Sequence, residues 1–256
     1  MQYGVCCGPD MAKVVAVAGF DFIEWTVGAS LKPHDPEPAF RESLAKVQAA
    51  PIPCLAVNCF ITGDLRITGP TADLVALEKY VTVACRRAGE AGVKTIVFGS
   101  GGARRIPDGF DRTAALNQIV TFCRMLGPIA ARHGVTIAVE PLNKAECNVL
   151  TTVAESADIV RRANHPAIRL LVDAYHWMKD SDSAADIVAN GPLLAHVHVA
   201  TLAKHMAPGV EECDLAPFFS ALKQGGYNGR ISIEAGIPNP PVDLPKALAL
   251  LRSLAE

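Results

Sequence analysis

The amino-acid sequence predicts an α/β fold: a closed (β/α)8 barrel, one domain over residues 1–256. Three observations carry this. Eight short β-rich runs alternate with eight longer helical stretches from end to end. The strand candidates are near-continuous apolar runs, as expected of parallel strands covered by helices. The length of 256 residues, half of them hydrophobic, is long for an ordinary domain but normal for one such barrel. An open doubly wound sheet usually offers a glycine-rich nucleotide turn after its first strand, and VCCGPD is not one.

In chain order, QYGVCC reads as the first strand, followed by a helix over about residues 9–18. FDFIEWT precedes a helix over 37–48, CLAVNCF one over 72–90, and TIVFGS one over 112–132. TIAVEPL leads to 152–163, IRLLVDAY to 182–190, LAHVHVA to 214–224 and RISIEAG to 242–254. Boundary residues fit. Asp111 and Asp214 suit N-caps of the fourth and seventh helices, and Thr151 or Thr152 suits the fifth, with Glu155 in its first turn. Gly134 and Gly225-Gly226 suit helix ends, where left-handed backbone favours glycine. The proline-rich PNPPVDLP (238–245) reads as the last strand-to-helix loop rather than a domain joint.

Composition narrows the function. Charged residues make up 20% of the chain, net charge is −2, and no basic stripe appears, which argues against a general nucleic-acid binder. No apolar run approaches the length of a membrane span, and MQYGVCCGPD lacks the pattern of a signal peptide, so cytoplasm is the expected location. Eight scattered cysteines without a C-x-x-C pair read as buried hydrophobes or free thiols. Homo-oligomer formation is compatible with the chain.

Four strand-like segments close on an acid or imidazole: Glu140 in TIAVEPLN, Asp173 in RLLVDAYH, His198 in LAHVHVA and Glu234 in RISIEAG. The gaps between them, 33, 25 and 36 residues, are each about one strand-plus-helix unit. All strand ends of one sense open on one face of a parallel barrel, so these four side chains are expected to meet there. A charge placed directly after an apolar run is expensive to bury unless paired or metal-bound; the alternative for any one of them is a strand-end ion pair. His196 and His198 share a face, and His198, nearer the C-terminal end, is the better ligand. Three carboxylates and one imidazole make a hard ligand set for one divalent metal ion, Mn²⁺ first, with Mg²⁺, Co²⁺ or Zn²⁺ also able to occupy it. Such an ion acidifies the proton on the carbon alpha to a chelated carbonyl, leaving an enediolate. Glu140 and Glu234 then suit the roles of proton acceptor and donor on opposite faces of the substrate.

At these residues the chain resembles the xylose isomerase-like TIM-barrel superfamily, in its sugar isomerase/epimerase branch. Its motifs are similar to those of ketose 3-epimerases of the tagatose and psicose type, best from about residue 90 to 236. VEPLNKAE resembles the strand-five motif, which implies a catalytic metal-ligand Glu140, with Asn143 three residues on and a substrate-contacting Glu146 six residues on. LVDAYH resembles the family's D-x-x-H and implies metal-ligand Asp173 and substrate-contacting His176. HVH places the ligand on His198, and APGVEECDLAPFFSALKQGGYNGRISIE resembles the closing block that ends on catalytic Glu234. Two features depart from the pattern. A second glycine usual after the Pro-Gly is absent, and the substrate-holding arginine often found before it is replaced in VATLAKHMAPG, where Lys204 or His205 must serve.

The resemblance implies a metal-dependent isomerase acting on a sugar, sugar phosphate or keto acid. Epimerisation comes first, then hydroxypyruvate-isomerase-like or inosose-dehydratase-like chemistry on the same site. Apurinic endonucleases share the barrel and the D-x-x-H, but need extra histidines where this chain has Asn58, Cys59 and Gly99. A non-catalytic sugar-binding barrel is the remaining alternative, against which the intact quartet speaks. Weaker signals surround the quartet. In GSGGARR, backbone N–H groups with Arg104 and Arg105 suit a phosphate, against a loop of solvated arginines. Glu24 faces the mouth or makes a structural ion pair. Trp25, Phe60 and Trp177 wall a sugar or simply pack.

Overall fold

The computed structural model describes all 256 residues. Eight parallel strands close on one another in sequence order: β1 (Gln2–Cys6), β2 (Phe22–Thr26), β3 (Cys54–Asn58), β4 (Thr95–Phe98), β5 (Thr136–Val139), β6 (Ile168–Asp173), β7 (Leu194–Val199) and β8 (Arg230–Ile233). β1 pairs with β8, so no edge is left open. All eight predicted strands are present.

The outer ring is made by α1 (Ala12–Val17), α2 (Val27–Ser30), α3 (Glu37–Gln48), α4 (Leu74–Glu90), α5 (Gly101–Arg104), α6 (Arg112–Arg132), α7 (Val153–Ala163), α8 (Ala174–Lys179), α9 (Ala184–Asn190), α10 (Ala216–Gln224) and α11 (Pro240–Ala255). The eight expected helices appear, most starting a residue or more later than predicted. Asp111 caps α6 by accepting from the Ala114 amide, and Thr152 caps α7 by accepting from Glu155. Glu155 in turn accepts from the Thr151 amide, one residue before the cap. Asp214 accepts from the Ala216 amide just ahead of α10. Gly134 and Gly226 adopt positive φ, while Gly225 stays right-handed.

Two expectations are corrected. Residues 240–245 are not loop but the opening of α11; proline suits a first helical turn, where its missing N–H has no partner to lose. Three short helices, α2, α5 and α8, lie inside strand-to-helix connections and were not legible, each being under two turns and too short for a periodic pattern.

Alternation along the strands sends every second side chain inward. One interior layer holds Phe22, Val97, Ala138, Leu171, His196 and Ser232, all buried. Gly4 belongs to it because a Cβ there would collide with the Phe22 ring. The next inward positions, toward the C-terminal mouth, are Glu24, Asn58, Gly99, Glu140, Asp173, His198 and Glu234. The packed layer is thus a floor for a polar mouth.

Candidate metal centre and substrate cavity

Glu140 and Glu234 each stand one residue beyond a strand, and Asp173 and His198 close β6 and β7 or nearly so. Strand ends are rigid, so four neighbouring strands deliver four potential donor side chains to one point. One ligand atom from each of Glu140, Asp173, His198 and Glu234 lies within 4.8 Å of all the others. His198 Nδ1 is 2.8 Å from Glu234 Oε2 and 3.4 Å from Glu140 Oε1. The structure therefore brings the predicted quartet together.

Its chemistry fits a cation. His198 Nδ1 and Glu140 Oε1 are inaccessible to solvent and make no well-aligned hydrogen bond, although Nδ1 stands in ion-pair range of two carboxylates; a cation between them would satisfy both atoms. Burial pushes the Asp173 carboxyl up to about 6 and raises Glu140 above the ordinary carboxylate range. Burial also disfavours charge on Glu234, which opens partly onto the cavity, but attraction to His198 outweighs this and holds its carboxyl low. Three carboxylates crowded in this way gain most from a bound positive charge.

Glu24 on β2, read from sequence as mouth-facing or structural, is fully buried beneath the quartet. Its Oε1 lies 2.9 Å from His198 Nε2, and its Oε2 accepts from Ser232 Oγ at 2.7 Å and lies 2.8 Å from His196 Nε2. Burial opposes charge on His198, but Glu24 and Glu234 outweigh it and raise the imidazole well above its ordinary range; with Nε2–H turned to Glu24, Nδ1 is the nitrogen whose proton a cation among the carboxylates would replace. Burial works against the Glu24 charge, but the two imidazoles outweigh it and hold its carboxyl well below the usual range.

Several supporting residues escaped the sequence reading. Asn58, noted there only as a missing histidine, donates to Glu234 Oε1 at 2.9 Å. Gly99 leaves room for Glu140: a Cβ at residue 99 would collide with Glu140 Oε2. Cys59, Ser100 and His205 line the cavity with positive φ, a left-handed strain that non-glycine residues rarely carry outside functional sites. The strained turn at His205 is held by Glu211, which accepts from Thr201 Oγ1 and from the Lys204 amide.

Glu140 and Glu234 line a cavity of about 680 Å³ together with Glu146, Tyr175, His176 and His205. Asn143 Nδ2 donates to Glu146 Oε1 at 2.7 Å and to His176 Nδ1 at 2.8 Å. His176 Nδ1 is therefore the acceptor, and its Nε2 faces Asp173 Oδ2 at 3.8 Å. Of the two candidates for the missing arginine, His205 lines the cavity edge-on to Tyr175, with ring centroids 4.3 Å apart. Lys204 is exposed and outside the lining.

Arg104 does not reach the cavity, contrary to its predicted role as a substrate contact. Its side chain is fully buried, and its guanidinium donates to the carbonyls of Phe98 at 3.0 Å and Glu140 at 2.6 Å. It ties the ends of β4 and β5 and so positions Glu140. Arg105 likewise donates to the Glu146 carbonyl. Trp25, Phe60 and Trp177 lie outside the lining; Phe60 is core, and Trp177 packs on Phe218.

A closed (β/α)8 barrel with a carboxylate–imidazole cluster at the C-terminal ends of its strands defines the class of protein. Over residues 12–254 the chain matches the family described as xylose isomerase-like TIM barrel, and it belongs to that family. It is 30% identical over 132 residues to L-ribulose 3-epimerase of Methylomonas sp. (strain DH-1), covering 51% of this chain and 46% of that protein. It is 28% identical over 160 residues to a putative hydroxypyruvate isomerase of Mus musculus, covering 59% of this chain and 57% of that one. The matched segment thus spans about half the length of these relatives. D-psicose 3-epimerase from Clostridium cellulolyticum H10, solved with D-tagatose, superposes with a TM-score of 0.83 over the full length of both chains at 20% identity. That likeness is one of fold. No helix is long and apolar enough to cross a membrane.

Proposed function

We propose that the protein is a divalent-metal-dependent isomerase or epimerase of sugars, sugar phosphates or related keto acids, acting by proton transfer at the carbon alpha to a carbonyl. The observation that carries this is the quartet itself, with His198 Nδ1 and Glu140 Oε1 buried inside it and without a well-aligned hydrogen bond. Glu140, Asp173, His198 and Glu234 would hold the ion, with Mn²⁺ the first metal to test and Mg²⁺, Co²⁺ and Zn²⁺ after it. When bound, the ion supplies Lewis-acid polarisation of a carbonyl and so acidifies the adjacent C–H.

The remaining work falls to side chains. Glu140 and Glu234 flank His198 Nδ1, so a carbon lying between them presents a face to each carboxylate. One removes the proton and the other returns a proton to the opposite face, which inverts that carbon. Glu146, His176 and His205 offer acceptors and donors to the hydroxyls, and Asn143 fixes the first two. The buried floor beneath Glu24 and His198 keeps water from the proton's path on that side. The named 3-epimerase relative supports epimerisation as the first reading. The hydroxypyruvate isomerase relative supports aldose–ketose isomerisation as the second, in which the proton returns to the neighbouring carbon.

The experiment is a panel of ketoses and keto acids in D₂O with Mn²⁺, followed by NMR. Deuterium entering one carbon of one compound identifies both substrate and position. Inertness of the whole panel, with each of the four metals in turn, contradicts the reading.

A further inference from the structure

The cavity carries one cation that the proton-transfer reading does not use. Arg66 is the only lysine or arginine among its lining residues. It sits on the segment between β3 and α4, and β3 lies across the closed barrel from β7, which carries His198. The other charged groups of the lining are the carboxylates Glu140, Glu146 and Glu234 and the imidazoles His176 and His205.

Arg66 is unspent. Arginines 41, 86, 87, 112 and 162 are all in ion pairs, and Arg66 is in none, although Asp64 is two residues away. Its one hydrogen bond runs from Nη1 to the carbonyl of the preceding Leu65 at 3.2 Å. That bond steadies the guanidinium while leaving Nε and Nη2 free, a planar fork matched to the two oxygens of a carboxylate or phosphate. Facing space is available. Gly102 lines the same cavity, and a Cβ there would meet nothing within 4 Å. Glu146, His176 and His205 already offer partners to hydroxyls, which leaves the guanidinium available for an anionic group.

We propose that Arg66 is the anion-recognising residue of this cavity, and that the substrate carries a carboxylate or phosphate at the end of its carbon chain remote from the reacting carbonyl. This rests on the cavity being the site of the sugar or keto-acid reaction, and it narrows the substrate class to anionic compounds. It also moves anion recognition away from the GSGGARR segment, where Arg104 is buried and Arg105 is engaged.

The test is binding, independent of turnover. Uniformly ¹⁵N-labelled protein, with and without diamagnetic Mg²⁺, is titrated with glycerol 3-phosphate, glycerate and glycerol while the arginine Nε–H resonances are followed. The expected result is one arginine signal that shifts saturably with at least one of the two anions and not with glycerol, in both metal states. That signal is absent from Arg66→Gln, and affinity for the anion falls at least about tenfold, the lower end for charge-assisted hydrogen bonds. Arg66→Lys retains part of the affinity. Response to glycerol 3-phosphate alone assigns a phosphate tail, and response to glycerate alone a carboxylate. Saturable binding of neither anion, or equal binding by Arg66→Gln, overturns the proposal. A failure of the proton-transfer reading shows instead in the deuterium panel and leaves this titration unaffected.

Discussion

Replacing Gly99 by alanine adds one methyl group beside the candidate metal centre and nothing else. The built Cβ lies well under 3.0 Å from Glu140 Oε2, whereas ordinary contact begins at 3.4 Å. The carboxylate must therefore retreat by more than 0.4 Å, the difference between those limits. Arg104 and the pairing of β4 with β5 hold the Glu140 backbone, so the retreat falls on the side-chain torsions that aim its carboxylate. Metal–ligand distances tolerate roughly 0.2 Å, so the forced displacement is at least about twice what coordination accepts. Residue 99 does not lie in the left-handed region, so alanine suits its backbone and the fold should persist. The expected cost is about 100-fold in Mn²⁺ affinity, the upper end for disturbed ligand support, or about 2.8 kcal/mol. Isothermal titration with Mn²⁺ measures it, and a melting curve of the metal-free variant checks the fold. An affinity within about threefold of the parent would refute the reasoning, because the aim of the Glu140 carboxylate would then not matter to the ion.

Three further outcomes follow from the same geometry. Glu24→Gln removes the charge that orients His198 and leaves one imidazole without its partner; Mn²⁺ affinity should fall roughly 10- to 100-fold by titration calorimetry, although Glu24 touches no metal. Glu234→Gln should abolish deuterium exchange while the circular dichroism spectrum and melting transition are retained; full exchange would remove Glu234 from its assigned role. The third concerns pH. The folded Asp173 carboxyl is raised from 3.8 to about 6, so its protonated form is the one that folding favours in the metal-free protein. That contribution is present below the unfolded value and is lost as pH rises through the folded one, and the upward shift of Glu140 has the same sign. Buried His196 is lowered and acts in the opposite sense over the same range, so the site's share is read by comparison with Asp173→Asn: between about pH 7 and about pH 5 the chelator-treated parent should gain melting temperature relative to that variant, and excess Mn²⁺ should remove the gain. The same pH response in parent and variant would contradict this.

The ligand quartet was legible because each member breaks an apolar strand with a group that is costly to bury, at a spacing of one structural unit. Such violations of local pattern mark function, and they are visible one strand at a time. What surrounds the quartet is set by contacts distant in sequence. Glu24 meets Ser232 across 208 positions and His198 across 174, and nothing in FIEW discloses either partner. Asn58 was noticed only for not being histidine, yet its amide holds Glu234 across 176 positions. Gly99 was noticed on the same ground, and nothing in the sequence shows that its missing side chain makes room for Glu140. Arg104 misled for a physical reason: in a glycine-rich segment an arginine reads as solvated, but the short helix α5 turns it inward under the strand ends. The choice between Lys204 and His205 turned on one strained residue, since the positive φ at His205 presents its ring to the cavity while Lys204 points to solvent.

The account depends most directly on where a divalent ion sits. Crystals grown with Mn²⁺ and measured at its absorption edge would locate it by anomalous scattering. The account predicts one strong peak among Glu140, Asp173, His198 and Glu234, on the Nδ1 side of the imidazole. A second trio, Cys6, Glu24 and His198, also brings ligand atoms within 4.8 Å of one another. A peak there, or none between the four, would contradict the assignment.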